Sequence, residues 1–304
     1  MKAISIILVT YNSSAHIKSC LDSIFNQNFK DYEVIVIDNA STDETKSLLK
    51  AKYRDVTLLE NSENFGPCHA RNQGIAKASG KFILCLDHDV KLLNNFLENM
   101  RKAIESQDTI GAVGAKILMV NAKTIYSAGI YPSYLWRFYD IGSGREDGPG
   151  FREKKYVFGV SAAAAIYRRE ALEAIKQNGE YFDEDFFYFF EDVDLSWRIQ
   201  KKGWRILYYP DAVCFHKAGR SRNKDKISQY FCFRNRYLLL AKNESMLGIF
   251  RFPVIFLTYD LWRNLYMLIV NPKYFLKAAF EVMKLLPRMF KKRKMALLKN
   301  ENSL

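Results

Sequence analysis

The sequence lacks the glycine-rich signatures of the common nucleotide-binding folds. Thr10-Tyr11-Asn12, rather than G-x-G-x-x-G, follows the first apolar segment, Ile4–Val9, and the chain contains no G-x-x-x-x-G-K-[ST] loop. These absences exclude a dinucleotide-binding motif and a P-loop. A phosphate-bearing ligand must then be held largely by side chains and a metal ion.

Cysteine is scarce and irregularly spaced. The five cysteines are Cys20, Cys68, Cys85, Cys214 and Cys232, and no C-x-x-C pair occurs. Because Cys85 lies within an apolar run, we expect buried free thiols in a reducing compartment. The first nine residues are too short for a signal-peptide core and precede no small-residue cleavage site, which predicts a cytosolic protein.

Positive charge is concentrated at one end of the chain. The 304 residues carry 46 Lys and Arg against 33 Asp and Glu, a net charge of +13. From Ala241 onward the counts are 12 and 4, a net charge of +8. No nucleic-acid-binding motif accompanies this excess, so we expect no nucleic acid partner and favour an anionic membrane surface.

Apolar segments alternate with helical patterns over the first 120 residues. The predicted strands are Ile4–Val9, Glu33–Ile37, Val56–Leu59 and Phe82–Leu86. The predicted helices run over Ala15–Phe25, from a capping box at Ser41–Glu44, from Pro67 to Ala78, and from a cap at Asn94 or Asn95. Such alternation predicts a doubly wound α/β sheet.

The second half of the chain is less regular. Tyr131–Phe151 is rich in glycine and aromatic residues and predicts a long surface loop, whose aromatics, Trp136 among them, either stack on a sugar or pack the loop down. The segments after it are an apolar stretch, Val157–Tyr167, helices over Arg169–Gln177 and Asp192–Lys201, and strands over Trp204–Tyr209 and Ala212–His216.

Polar residues follow the predicted strands at four points. These are Thr10-Tyr11-Asn12, Asp38, the region from Asn64 to Arg71, and Asp87-His88-Asp89. If the sheet is parallel, these strand ends share one crevice. Carboxylates at positions i and i+2 there are suited to Mg²⁺ or Mn²⁺, and a guanidinium near a helix start favours an anion or a base edge.

Four motifs in this order carry a family resemblance. They are Ser5–Asn12, Val34–Asp43, Asp87-His88-Asp89 and Glu191-Asp192-Val193-Asp194. Residues 3 to 240 resemble the family 2 glycosyltransferases of the GT-A fold, and Phe182–His216 with Phe233–Tyr237 looks most like their rhamnosyltransferase-like branch. The fold thus implied is α/β, a Rossmann-like mixed sheet with a C-terminal helical extension.

The resemblance implies a role for each matching position. The donor nucleotide is expected at Thr10, Tyr11, Asp38, Asn64, Arg71 and Asp87, with Asp87 near the ribose. Asp89 is expected to ligate Mg²⁺ or Mn²⁺, His216 to complete the metal site, and Asp192 to be the catalytic base. His216 has the alternative of an ordinary core histidine, and Asp192 that of a helix-start residue.

Other residues are candidates for contacts to the acceptor or a phosphate. They are Glu191, Trp136, Arg234 and Arg236. The two arginines either bind a phosphate or pair with nearby acids. Asp194 is expected to be structural or to face the acceptor.

The C-terminal extension combines apolar and basic residues. Residues 1–240 are expected to form the catalytic domain, 1–120 its nucleotide-binding half and 121–240 its acceptor half, with 241–304 as the extension. Leu247–Val270 is helical in pattern but interrupted by charges, so no uncharged span reaches the roughly 18–20 residues that cross a bilayer. With Lys291-Lys292-Arg293-Lys294, it predicts helices lying on a membrane. The alternatives are packing on the catalytic domain, with a solvated basic tail, or a homodimer.

The predicted function is therefore a metal-dependent, inverting transfer of one sugar at the inner face of the cell membrane. The resemblance suggests a dTDP- or UDP-sugar donor, with rhamnose as the first choice, and a glycan or lipid-linked acceptor in cell-surface polysaccharide synthesis. The Q-x-x-R-W motif of processive synthases in this family is absent, which favours single additions. The rivals are a sugar nucleotidyltransferase, which needs a Gly- and Arg-rich loop after the first strand, and a non-catalytic nucleotide-sugar-binding scaffold.

Overall fold

A mixed β-sheet forms the centre of the molecule. The computed structural model describes residues 2–217, 226–245, 248 and 250–301, and side chains as far as residue 295. The strands are β1 Ile4–Thr10, β2 Tyr32–Asp38, β3 Thr57–Glu60, β4 Phe82–Asp87, β5 Val90–Leu92, β6 Ile110–Met119, β7 Ile125–Ser127, β8 Ile130–Pro132, β9 Phe138–Asp140, β10 Lys155–Tyr156, β11 Ala164–Arg168 and β12 Arg205–His216.

The strand order explains why polar residues gather at one edge. The sheet runs β10-β12-β6-β11-β4-β1-β2-β3, and β1, β2, β3 and β4 are mutually parallel. Parallel strands end at the same edge, so Thr10 and Asp38 lie side by side in register. Strand β11 lies antiparallel between β4 and β6, and β12 runs parallel to β6, which makes the sheet mixed, as predicted.

Helices cover both faces of this sheet. They are α1 Ile17–Phe25, α2 Thr45–Lys52, α3 Gly66–Lys77, α4 Phe96–Glu105, α5 Arg169–Ile175, α6 Glu191–Lys201 and α7 Lys226–Asn243. The interior strands β1 and β4 are buried along almost their whole length, because helices pack against both sides. All five cysteines are free thiols, and only Cys232 is partly exposed.

Two local predictions were wrong. Tyr131–Phe151 is not a loop without structure, because β8 and β9 form a hairpin there, with Tyr131 paired to Tyr139. The capping box at Ser41–Glu44 does not form, and α2 begins only at Thr45. The Ser41 hydroxyl instead accepts from the Asn12 N–H at 2.9 Å, which ties together the turns after β1 and β2.

The C-terminal region is helical, as predicted, and packs on α7. It contains two main helices, Leu261–Val270 and Pro272–Glu301, and we call the second of these the C-terminal helix. Leu247, where the predicted helical pattern begins, lies outside the described residues. The described part of the chain contains no helix with the length and apolar character needed to span a bilayer.

The basic run at 291–294 is not a solvated tail. It lies within the C-terminal helix, and Lys292 and Arg293 are buried. The Lys292 ammonium lies 2.5 Å from Asp183 and 2.7 Å from Asp185, both just before the residues that lead into α6. Two of the four basic residues predicted to bind a membrane are therefore buried within the protein.

Candidate functional site

Two carboxylates and an imidazole converge where β4 ends. Strand β4 ends at Asp87, and β5 begins three residues later and pairs antiparallel with β12, which sets His216 opposite Val90. The His216 Nε2 atom lies 3.7 Å from Asp87 Oδ2 and 3.6 Å from Asp89 Oδ1. One potential ligand atom from each of the three residues lies within 4.8 Å of the others.

This donor set fits a divalent cation. Hard carboxylate oxygens suit Mg²⁺ and Mn²⁺, and an imidazole is an accepted additional ligand for Mn²⁺. The ring of Tyr126 stacks on His216 with centroids 4.4 Å apart, which fixes the imidazole plane. Asp89 and His216, the two predicted ligands, are thus brought together, and Asp87, which was predicted to lie near the ribose, joins them.

Arg71 connects this cluster to the start of α6. Its buried guanidinium donates to Asp87 at 3.0 Å and to Glu191 at 2.8 Å, so residues 120 positions apart meet in one crevice. Burial alone would raise the pKa of Asp87, but His216 and Arg71 outweigh it and lower that pKa to about 2. Both terminal nitrogens of Arg71 are therefore engaged by carboxylates, its buried Nε has no hydrogen-bond partner within the described residues, and Glu191 is held by Arg71.

Asp192 occupies the first turn of α6, beside this ion-paired group. The side chain is half-buried, and its Oδ1 accepts from the Val193 N–H at 2.8 Å. Burial, with the nearby carboxylates of Glu191 and Asp140, raises the pKa of Asp192 to about 8. A carboxyl group that titrates near neutral pH is suited to proton transfer, which is the role predicted for it.

The ends of β1 and β2 form the other wall of the crevice. Thr10 and Asp38 are fully buried, and the Thr10 hydroxyl and one oxygen of Asp38 have no hydrogen-bond partner within the described residues. Native proteins rarely leave such atoms unpaired, so these two mark a place where a ligand or water completes the structure. Tyr11 is exposed above them, and the exposed Asn64 accepts from the Gly66 N–H at 3.0 Å.

Three predicted contact residues turn out to be internal. Trp136 is buried against Leu240 and Ile255, so the packing alternative holds for its ring. Arg234 and Arg236 are buried and pair with acids, at 2.8 Å to Glu281 and 2.9 Å to Asp260. These arginines therefore tie α7 to the C-terminal region, and the pairing with acids is the alternative that the structure shows.

Asp194 is structural. It is fully buried on α6, and its carboxylate accepts from Arg198 at 2.8 Å, Lys242 at 2.8 Å and Asn243 at 2.7 Å. Lys242 also reaches Asp183 at 2.7 Å. This network fixes the orientation of α6, and with it the position of Asp192.

Two residues of the site carried no sequence signal. Tyr126, in β7, and Asp140, at the end of β9, belong to no motif, and both lie in short strands near the glycine-rich region. Their proximity to His216 and Asp192 depends on how those strands fold back over the sheet. Asp140 could have been placed near the site only by predicting a hairpin within Tyr131–Phe151.

Comparisons with known proteins agree with this geometry. Residues 5–176 match the family model described as Glycosyl transferase family 2. A stretch of 217 residues is 27% identical to the poly-beta-1,6-N-acetyl-D-glucosamine synthase of Staphylococcus aureus (strain COL), covering 71% of this chain and 50% of that protein. The chain thus spans about half the length of the relatives it matches.

Solved structures share the fold. S. aureus TarS 1-349 superimposes with a TM-score of 0.59 and 18% identity over 98% of this chain and 87% of that one. GalNAc-T7, solved with UDP, GalNAc and Mn²⁺, gives a TM-score of 0.64 with 17% identity over 80% of this chain and 48% of that one. The mixed α/β architecture predicted from the motifs is confirmed as that of the GT-A transferases.

Proposed function

The chain belongs to glycosyl transferase family 2, and on that premise we propose that it transfers a sugar from a nucleoside diphosphate donor to an acceptor hydroxyl with inversion at the anomeric carbon. The observation that carries this proposal is the contact of the Arg71 guanidinium with both Asp87 and Glu191. Arg71 joins Asp87, a carboxylate of the proposed cation site, to α6, which carries Asp192 with its raised pKa. The two acidic centres that the reaction needs therefore lie in one crevice.

Asp192 is the proton acceptor in this reaction. As the acceptor oxygen attacks the anomeric carbon, its proton passes to the Asp192 carboxylate. The bond from that carbon to the diphosphate oxygen breaks, and the diphosphate leaves with the electron pair. Attack and departure on opposite faces of the sugar invert the anomeric configuration. The transition state resembles an oxocarbenium ion.

The leaving group belongs at the other side of the crevice. Asp87, Asp89 and His216 are the residues that would hold Mg²⁺ or Mn²⁺. Such an ion, when bound, stabilises the charge that develops on the departing diphosphate. Thr10 and Asp38 offer unpaired polar atoms to the nucleoside part of the donor, which would satisfy them.

We propose two candidates for the donor sugar, in order of preference. A rhamnosyl donor is the first candidate, from the motif resemblance of Phe182–His216. N-acetylglucosamine is the second, because a relative is named as a poly-N-acetyl-D-glucosamine synthase and TarS has been solved with UDP-GlcNAc. Single additions are proposed because Q-x-x-R-W is absent from the sequence.

Peripheral membrane binding is proposed for the C-terminal helix. Its exposed face interleaves large apolar side chains with lysines, namely Lys273, Leu276, Lys277, Phe280, Met283, Lys284 and Lys291. Apolar groups enter the headgroup boundary of a bilayer, and the flanking lysines are attracted to anionic lipid. A lipid-linked or cell-surface glycan acceptor at the inner membrane face is consistent with such docking.

A panel of nucleotide sugars tests the proposal. Release of nucleoside diphosphate from UDP-GlcNAc and dTDP-rhamnose is measured with Mn²⁺ or Mg²⁺ for the wild-type chain and for Asp192→Asn. Turnover of one donor by the wild type alone supports the proposal. Stabilisation by a donor without any turnover would favour the scaffold, and incorporation of sugar phosphate into a nucleotide would favour the nucleotidyltransferase.

A further inference from the structure

A strained turn leads into the helix that carries Asp192. We call Phe186–Phe190 the aromatic turn. Three of its residues have positive φ angles, +60° at Phe187, +67° at Phe189 and +68° at Phe190. Bulky side chains rarely adopt this region, because Cβ crowds the backbone there. Phe190 directly precedes α6, so the shape of the turn sets where that helix starts.

A single buried amide holds the turn from below. The Asn235 side chain, on α7, is fully buried. Its Nδ2 group donates to the carbonyl oxygens of Phe186 at 2.9 Å, Tyr188 at 2.8 Å and Phe189 at 2.8 Å. Its Oδ1 atom accepts from Arg234 at 2.7 Å, which fixes the orientation of the amide. Strained backbone persists where its surroundings over-determine it, and Asn235 supplies that restraint.

The other side of the turn rests on α3. The Phe187 carbonyl accepts from the Cys68 thiol at 3.3 Å, and a Cβ atom at Gly66 would lie 2.8 Å from the Phe187 ring. The aromatic turn is therefore wedged between α3 and α7. Tyr188, 43% exposed, is the turn residue that faces solvent near the start of α6.

On the basis of the transfer reaction proposed above, we propose that Asn235 is a positioning residue that keeps the aromatic turn in the shape that directs Asp192 at the acceptor hydroxyl. The two N–H groups of the amide can serve three carbonyl oxygens when one N–H is shared between two of them, whereas a carboxylate would repel all three. Without the donor, the positive-φ residues relax toward negative φ and the first turn of α6 moves. A displacement of about 1 Å at a reacting group costs about 100-fold in rate.

The test compares two buried asparagines, Asn235 of α7 and Asn271 just before the C-terminal helix. Asn235→Asp keeps the shape of the side chain and removes its donor, and Asn235→Ser keeps one donor and serves if the Asp variant does not accumulate as folded protein. Asn271→Ala is the control, because its buried amide donates to Gln229 at 2.8 Å and takes no part in the contacts that hold the aromatic turn or α6. For each full-length variant we measure hydrogen exchange of the peptide 185–193, thermal stability, and nucleoside diphosphate release from UDP-GlcNAc and dTDP-rhamnose with Mn²⁺.

We expect exchange in the aromatic turn to be about tenfold faster and kcat about 100-fold lower in the Asn235 variants. The donor-induced thermal shift should remain, because the donor side of the crevice is intact. Asn271→Ala should keep kcat within about threefold of wild type at an equal loss of thermal stability. Unchanged exchange, unchanged kcat, or an equal kcat loss in the control overturns the role of Asn235. A wild type that releases no nucleoside diphosphate from any donor instead contradicts the transfer reaction, while the exchange result still decides whether Asn235 holds the turn.

Discussion

Replacing Asp192 with Asn should slow transfer by orders of magnitude and stabilise the fold. The pKa of this carboxyl is raised to about 8 by burial and by the carboxylates of Glu191 and Asp140. An unfolded chain ionises Asp near pH 4, so the folded state retains a proton that the unfolded state has lost. Stability contributed by this group therefore falls as pH rises from about 4 to about 8, and the loss is complete above that range. An amide removes this cost and keeps an oxygen that accepts from Val193.

The magnitude follows from the same shift. About four pKa units correspond to roughly 5.6 kcal/mol at about 1.4 kcal/mol per unit. Because the side chain is only half-buried and solvent screens it, we expect about 2 kcal/mol, or a Tm rise of about 4 °C, at pH 8.5. At pH 5 the gain should be well below half of this. Transfer should fall by about 1000-fold, within the usual range for the loss of a general base.

The assay pairs two readings on the same samples. Thermal unfolding is followed at pH 5 and pH 8.5 without donor or metal, and nucleoside diphosphate release is measured at pH 8 with Mn²⁺. Asp108→Asn, at an exposed position, is the control for a lost surface charge. The reasoning fails if the Asn variant is no more stable at pH 8.5 than at pH 5 relative to wild type, or if it retains transfer.

Three further predictions concern the metal cluster, the C-terminal helix and the membrane face. Asp89→Asn should weaken Mn²⁺ binding at least tenfold by calorimetry, because it removes one of the clustered carboxylates. Lys292→Ala should lower the free energy of unfolding by about 3–5 kcal/mol in urea titrations, because it leaves the Asp183 carboxylate buried with one cation fewer. Replacing Phe280 and Lys284 together by Ser should reduce co-sedimentation with anionic vesicles severalfold and leave folding intact.

Two of these predictions have a matched control. Lys291→Ala, at the exposed neighbouring position, should change stability by less than about 0.5 kcal/mol. Equal effects at 291 and 292 would contradict the buried ion network. Vesicles of zwitterionic lipid should bind the wild type more weakly than anionic vesicles, and equal binding would contradict the charge contribution. Unaltered Mn²⁺ affinity in the Asp89 variant would remove that residue from the cluster.

The regular elements of the fold were predictable because their patterns are strong. Continuous apolar runs such as Phe82–Leu86 predicted interior strands, and the residues after them predicted the strand-end crevice. Strand β6, in contrast, was missed although it lies next to β12 and β11, because Gly111 and Gly114 lower the strand signal. A Cβ atom at Gly114 would lie 2.4 Å from Val160, so the glycine is required by packing that the sequence pattern does not show.

The site was predictable as a set of residues but not as a set of contacts. The family resemblance predicted Asp87, Asp89, His216 and Asp192 as site residues. That Arg71 spans Asp87 and Glu191 depends on how α3 meets α6, which no local pattern encodes. For the arginines of α7 the sequence left phosphate binding and pairing with acids equally open, and for the basic run at 291–294 it favoured a membrane over a solvated tail. Their acidic partners lie far away in sequence, so burial and pairing appeared only in the folded chain.

The most direct test of the central claim is thermal stabilisation by nucleotide sugars. With a donor at about 100 times its Kd, stabilisation should be about 2.7 kcal/mol. We predict that one nucleoside diphosphate sugar stabilises the wild type and Asp192→Asn only when Mn²⁺ or Mg²⁺ is present, and that Asp89→Asn shows no such shift. Stabilisation by no member of the panel, or an equal shift without metal and in Asp89→Asn, would contradict a metal-dependent nucleotide-sugar site in this crevice.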